Sequence, residues 1–451
     1  MGLLTFESLG GPTLEVIGTP WGCLPVKIRN ASAGLVALAI LASACSNVSA
    51  SSGSSSAPPP ETQGDFRGNT GSDGSDLAAL DPNADPSVFL AEHIDSTPRE
   101  DVPSALRGNR RDSAFPPALI DLGQILSGGP GPDGIPPLDT PSFENAAAVD
   151  WLAAVEAVVV LEIDGDARAY PLQIMTWHEI VNDVVGGVPV TVAYCPLCNS
   201  ALAYDRRLDD RVLDFGTSGE LFNSSLVMYD RQTESLWTHF DAKAVVGHLT
   251  GEQLTTYSVQ ISSWEGFRDA YPDGKVLSRI TGFNRDYGRN PYVGYDTAEV
   301  RPFLFSGDID SQLDPKQRVI VVRDSDDPAV VLRLADVFEA GVMAFEAHGR
   351  ELVAVVDQGT ASPLDSQSVE GGFDQGTAGV FVAELDGQPV ELTRTDDGFV
   401  DGVSGITFDV FGHATDGSDV RLESVEHLDT FWFAIAAFDS DAVIIEADSG
   451  T

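Results

Sequence analysis

Two cysteines, Cys195 and Cys198, stand in Tyr194-Cys195-Pro196-Leu197-Cys198-Asn199-Ser200, straight after the apolar run Val190–Tyr194. His178 lies upstream in Thr176-Trp177-His178-Glu179. Two thiolates and one imidazole suit Zn(II) or copper, and a soft fourth ligand in an exported protein favours Cu(I). Met228, in Leu226-Val227-Met228-Tyr229-Asp230, is the candidate fourth ligand, although a methionine on a strand also serves as core filler. The expectation is a metal site of His178, Cys195, Cys198 and Met228, with copper favoured and zinc as the other choice. A thiolate-bound copper centre can carry redox chemistry, so an oxidoreductase is the natural enzymatic reading. Two further readings of the pair stay open. One is metal-free thiol–disulfide exchange. The other is a structural disulfide in a non-enzymatic binding module, where closing so short a loop adds little stability.

Less specific features surround this pair. The stretch Gly282–Tyr295 (GFNRDYGRNPYVGY) reads as a substrate-facing loop carrying Arg285 and Arg289, or as an ordered surface loop. Phe215–Gly219 (FGTSG) suits a tight turn beside a site or an ordinary hairpin. His93, His239, His248, His348, His413 and His427 read as surface or core residues. The chain has no phosphate-binding glycine loop followed by lysine, no H-E-x-x-H and no G-x-S-x-G elbow.

For the three donors to meet, a helix bearing His178 must be followed by a strand that returns the chain to it. The pattern supplies one. An apolar strand (Val158–Ile163), a turn and a second apolar stretch (Tyr170–Leu172) lead into helical spacing at Ile174, Trp177, Ile180 and Val181. A glycine turn and the strand Val190–Tyr194 follow. The flank Ser200–Tyr204 reads as another strand, unlike a thioredoxin-type pair at a helix N-terminus.

The same rhythm recurs over 320–360, at a constant offset from 158–198. Its steps are Ile320–Val322, Val331–Leu334, the spacing Val337, Phe338 and Val342, then Gly349 and Leu352–Val356. Farther on, Trp264–Tyr271 sits opposite Phe431–Phe438. The expected fold is α+β, with a β-rich body built from two degenerate copies of one unit as a pseudo-symmetric pair. At the offset His178, Cys195 and Cys198 become Ala340, Asp357 and Thr360. A shared backbone would then not require His or Cys there, which favours a functional reading.

Composition bounds the partners. The chain carries 26 Lys+Arg against 69 Asp+Glu, a formal charge of -43. That excludes the basic patch nucleic-acid binding needs, and a polybasic grip on anionic lipid. Residues 26–45 (VKIRNASAGLVALAILASAC) have a basic start, a short apolar run and small residues before Cys45. This is an export signal of bacterial lipoprotein type, with Cys45 lipidated and the protein anchored to a membrane facing the periplasm or exterior. Ala42 stands where such signals usually carry Leu, so plain secretion is the alternative. Residues 1–25 fit no signal, and Val26 is read as the true start. The expected layout is 1–45 leader and signal, 46–75 a Ser/Gly/Pro tether, 76–150 an N-terminal extension, 151–310 the first copy with the site, and 311–451 the second without it.

The motifs resemble the bacterial and archaeal family DUF3179, a domain of unknown function. The resemblance rests on GPDGIPP (131–137), RAYPL (168–172), WHEIVND (177–183), YCPLCNS (194–200), LVMYDRQTESL (226–236) and FWFAIAAF (431–438). It spans roughly residues 114–445 and implies that His178, Cys195 and Cys198 fall within signature motifs, without implying an activity. Ile435 departs from the tryptophan usual in the last motif.

Overall fold

The computed structural model describes residues 102–446 apart from 210, 325 and 326. The export signal, Cys45, the tether, Cys23 and His93 lie outside the described residues. Runs of β-branched residues make most of the strands, and paired turn residues set the hairpins. Strand β1 (Ala157–Ile163) turns at Asp164-Gly165 into β2 (Asp166–Pro171). Both turn residues have positive φ, 49° and 81°, as a two-residue I′ hairpin requires. Helix α1 (Leu172–His178) follows directly, then β3 (Ile180–Val185), a second such turn at Gly186-Gly187, β4 (Val188–Cys195) and β5 (Ser200–Asp205). Gly186 has no substitute: a Cβ there would lie 2.4 Å from the Ile163 carbonyl oxygen.

The helical spacing read through Ile180 and Val181 overruns the helix. Glu179 takes φ 58° and ψ −31°, α1 stops at His178, and Ile180 and Val181 are buried in β3. A short helix running into a fully buried strand keeps apolar residues on both strand faces, which periodicity alone cannot separate from a longer helix.

Next comes a meander of β6 (Phe215–Phe222), β7 (Ser225–Asp230), β8 (Leu236–Thr238) and β9 (Lys243–Val246). Strand β10 (Gln260–Ser263) pairs antiparallel with β1, helix α2 (Trp264–Ala270) follows, and β11 (Lys275–Leu277) runs parallel to β2. After a long irregular segment come β12 (Arg318–Val322), β13 (Val330–Arg333), α3 (Leu334–Ala340), β14 (Val342–Ala347), β15 (Arg350–Asp357) and β16 (Thr377–Val382). Near the end β17 (Leu428–Phe431) pairs antiparallel with β12, α4 (Trp432–Phe438) follows, and β18 (Val443–Ile445) runs parallel to β13. Here too the helical spacing overran: Val342 begins β14, after Gly341. The architecture is β-rich and mixed, with four short α-helices among the described residues. None of these helices is long and apolar enough to cross a membrane.

One buried cluster joins the chain's two halves, packing Cys195, Cys198, Tyr204 and Trp237 with Val319, Val331, Phe431 and Trp432. Two motifs serve this scaffold. The Arg168 guanidinium donates to both Asp183 oxygens at 2.7 and 2.9 Å and to Asp166 at 2.7 Å, while Tyr170 Oη donates to Asp183 at 2.7 Å. In the other, Asp230 accepts from Thr233 N and Oγ1, Ser235 N and Trp237 Nε1, locking the β7–β8 turn. Asp183→Ala should lower unfolding free energy by about 3 kcal/mol, the low end for breaking a buried pair because Asp166 stays on Arg168. Urea unfolding measures this, and a loss below about 1 kcal/mol would show the pair to be dispensable.

Candidate functional site

Strand β4 ends on Cys195 and β5 begins on Ser200, its register partner, so Pro196–Asn199 form the tip of a hairpin. Cys198 N donates to the Cys195 carbonyl at 3.1 Å, and Asn199 closes the tip at φ 50°. This puts the two sulfurs 3.2 Å apart as free thiols, 1% and 0% exposed. The far end of the chain grips the same tip: Thr430 Oγ1 and Phe431 N each donate to the Cys198 carbonyl at 3.0 Å. The Asn199 side chain joins Tyr194 Oη to the Arg318 guanidinium.

The two sulfurs have different surroundings. Burial by itself would push the Cys195 thiol up. The Cys198 thiol and the backbone N–H groups of Leu226, Cys198 and Leu197 outweigh it, and hold Cys195 below the usual cysteine value. Burial pushes Cys198 well up, and the neighbouring Cys195 adds to that. The hydroxyls of Ser225 and Ser200 face the Cys198 sulfur and pull the other way. Ser200 Oγ also meets His239 Nε2 at 3.0 Å, and Tyr204 Oη meets His239 Nδ1 at 3.3 Å. Burial lowers His239 to about 3, so its ring is neutral. Cys195 is therefore the more acidic sulfur of the pair.

Glu179 feels the charge of Cys195. Its side chain is buried beside Cys195 and hydrogen-bonded to Tyr292. Burial first, then the negative charge of Cys195, pushes its carboxyl up to about 8. A non-glycine residue at its backbone angles is conformationally costly.

His178 faces elsewhere. Its Nδ1 donates to the Pro136 carbonyl at 2.6 Å, and its Nε2 meets Tyr287 Oη at 2.6 Å. Tyr287 Oη in turn meets Thr281 Oγ1 at 2.6 Å. Both ring nitrogens thus have protein partners. Among the described residues no three His, Cys, Asp or Glu side chains group as a metal-holding set, so His178 does not join the cysteines. Met228 is buried in the cysteine cluster, two residues along β7 from Leu226 and paired with Thr217 and Trp237. The loop 282–295 reaches the last two residues of the WHE motif, Tyr287 to His178 and Tyr292 to Glu179. Arg285 and Arg289 are on this loop, and Arg289 lines a cleft with Tyr287.

The family described as a protein of unknown function (DUF3179) matches residues 132–442. The chain belongs to the DUF3179 family. No curated protein and no solved structure matches it. The DUF3179 span takes in the cysteine hairpin, Glu179, His239 and the loop 282–295. Within it, four contributors escaped the motif reading: Glu179, Ser200, Ser225 and Tyr292. Glu179 and Ser200 stand inside the WHEIVND and YCPLCNS motifs, so attention to every polar residue there would have flagged them. Ser225 and Tyr292 reach the site only through pairing and loop folding. His239, expected at the surface or in the core, is buried one hydroxyl away from Cys198.

Proposed function

We propose that this protein is an exported thiol–disulfide redox protein whose working group is the Cys195–Cys198 pair. The observation that carries the reading is the asymmetric pair itself: one sulfur cradled by three backbone N–H groups, with a thiol 3.2 Å away. The Cys195 thiolate attacks one sulfur of a partner disulfide, forming a mixed disulfide and releasing the other half as a thiolate. Cys198 then gives up its proton and attacks Cys195, releasing the second half. The partner gains two electrons, the pair becomes a disulfide, and the reverse sequence returns it. The Glu179 carboxyl, once ionised, accepts the departing proton beside the pair. Because both sulfurs are buried, exchange requires the packing of Tyr292, Tyr295 and Leu197 around them to open. The sequence of residues 26–45 supports export, with a lipid anchor at Cys45.

The test is equilibration of the purified protein in graded thiol–disulfide buffers, followed by acid quench and mass spectrometry. The expected result is a reversible loss of two hydrogens, mapped to Cys195 and Cys198. A pair that stays reduced, or stays oxidised, throughout would sink the reading. A second reading keeps the soft donor character of two adjacent sulfurs and assigns the pair to Cu(I), without His178. Stoichiometric copper that is lost in Cys195→Ser would favour it.

We also infer that the body is two copies of one unit, with the site in the first. The succession β1-β2-α1-β3-β4 matches β12-β13-α3-β14-β15, and β10-α2-β11 matches β17-α4-β18, including one antiparallel and one parallel pairing. In this correspondence Glu179 aligns with Gly341, whose angles are φ 78° and ψ −37°.

A further inference from the structure

A cleft of about 750 Å³ opens beside α1, sharing Tyr287 and Arg289 with the residues named above. We propose that it binds a zwitterionic small molecule of amino-acid or short-peptide size, ammonium toward its floor and carboxylate toward its rim. The floor is a buried pair of side chains. Glu156, 5% exposed, accepts from Ala153 N at 2.9 Å and from Gln173 Nε2 at 2.6 Å. Gln173 is 2% exposed, and its Oε1 has no protein partner. With one of its two N–H groups given to the carboxylate, the amide leaves its oxygen an unpartnered acceptor. Gly288, at φ 95°, passes over that oxygen without a side chain of its own; a Cβ there would stand 3.8 Å from it. A carboxylate beside an unpartnered amide oxygen calls for a donor-rich ligand group, and an ammonium offers three donors and a positive charge.

The rim adds two guanidinium groups, next to the carboxylates of Asp286 and Glu370. Arg279 and Arg289 both line the cleft in a chain whose formal charge is -43. Arg279 is held by the Tyr287 carbonyl at 3.1 Å and lies 5.5 Å from the Trp151 ring centre, so its guanidinium is positioned before any ligand arrives. Arg289 is 62% exposed, with only Asp286 at 4.0 Å beside it. Guanidinium groups are suited to a ligand carboxylate. An anion alone would leave the floor unanswered, and a cation alone the rim.

Calorimetric titration of the mature protein with glycine, L-alanine, L-glutamate, L-lysine and glycylglycine tests the proposal, with acetate and methylammonium as the two half-ligands. Saturable binding of at least one zwitterion is expected, at least tenfold tighter than either half. Preference for the dipeptide over the free amino acids would identify the ligand as a peptide, and the reverse order an amino acid. Arg289→Ala, at an exposed position, should weaken binding at least tenfold, and Gln173→Leu should do the same if it folds. Cys195→Ser should leave binding unchanged, which separates this site from the redox reading. Absence of saturable binding by every zwitterion, acetate binding as tightly as the zwitterion, or full binding in Arg289→Ala would each overturn it.

Discussion

Cys198→Ser should leave one thiol in the hairpin, Cys195, that reacts with a small alkylating reagent at pH 7 markedly faster than the one left there in Cys195→Ser. The two sulfurs are in contact and equally buried, so reagent access is common to both and cancels in the comparison. What differs is the fraction ionised. Cys195 keeps the N–H groups of Leu226, of residue 198 and of Leu197 when residue 198 is serine, because all three belong to the backbone, which a side-chain change leaves in place. The serine hydroxyl replaces the thiol as a donor. Cys198 on its own faces burial with only the Ser225 and Ser200 hydroxyls to help its thiolate. The two thiols are displaced in opposite directions from one ordinary value, and each unit of separation is tenfold in thiolate at neutral pH. A lower intrinsic nucleophilicity of the more acidic thiol recovers part of that without reversing the order. Equal rates would remove the backbone cradle as an explanation, and the reverse order would make Cys198 the attacking sulfur. The same pair of variants should differ with a disulfide partner, Cys198→Ser alone accumulating a mixed disulfide.

How far the chain could be read without coordinates depends on the range of each interaction. Asp164-Gly165 and Gly186-Gly187 announce their hairpins because the positive φ values they need are a local property. The sequence spacing of the cysteine pair was equally visible, as was the strand on either side of it. The partners of His178 were not: Pro136 and Tyr287 lie 42 and 109 residues away, and nothing near His178 indicates that its ring turns toward them. The direction of Glu179 hangs on one unusual backbone conformation, which no propensity foretells. Dense motifs also proved to have two causes. WHEIVND supplies Glu179 to the cysteines, yet its Asp183 belongs with Arg168 and Tyr170 in a buried ion pair. Asp230, within LVMYDRQTESL, satisfies four donors of its own turn. A buried polar network constrains residue identity as tightly as chemistry does, so the motif alone cannot tell them apart.

Glu179→Gly should produce a protein that is more stable at pH 8 and poorer at thiol exchange. The residue sits at φ 58° and ψ −31°, and Gly341, its counterpart under the proposed duplication, at φ 78° and ψ −37°. Relief of that conformation contributes about 1–2 kcal/mol, offset by roughly 0.5–1 kcal/mol for the extra freedom glycine has when unfolded. The larger gain comes from the buried carboxyl. Its folded value of about 8 lies above the ordinary 4.5, so below the lower value both states hold the proton and nothing is lost. Between the two, the folded state retains a proton the unfolded state has released, and stability falls as pH rises, by at most about 1.4 kcal/mol per unit. Above the folded value the loss is complete. Glu179→Gln keeps the backbone cost but removes this slope, so its advantage over the parent should grow from pH 5 to 8 in urea unfolding. Other buried carboxyls, such as Asp230, add slopes of their own that cancel in the comparison. In the redox assay both variants should lack the inflection near pH 8 that the parent shows when Glu179 ionises beside Cys195. If parent and Glu179→Gln change stability in parallel across this range, the carboxyl ionises as an ordinary glutamate, and its assignment as proton acceptor for the cysteine pair falls with it.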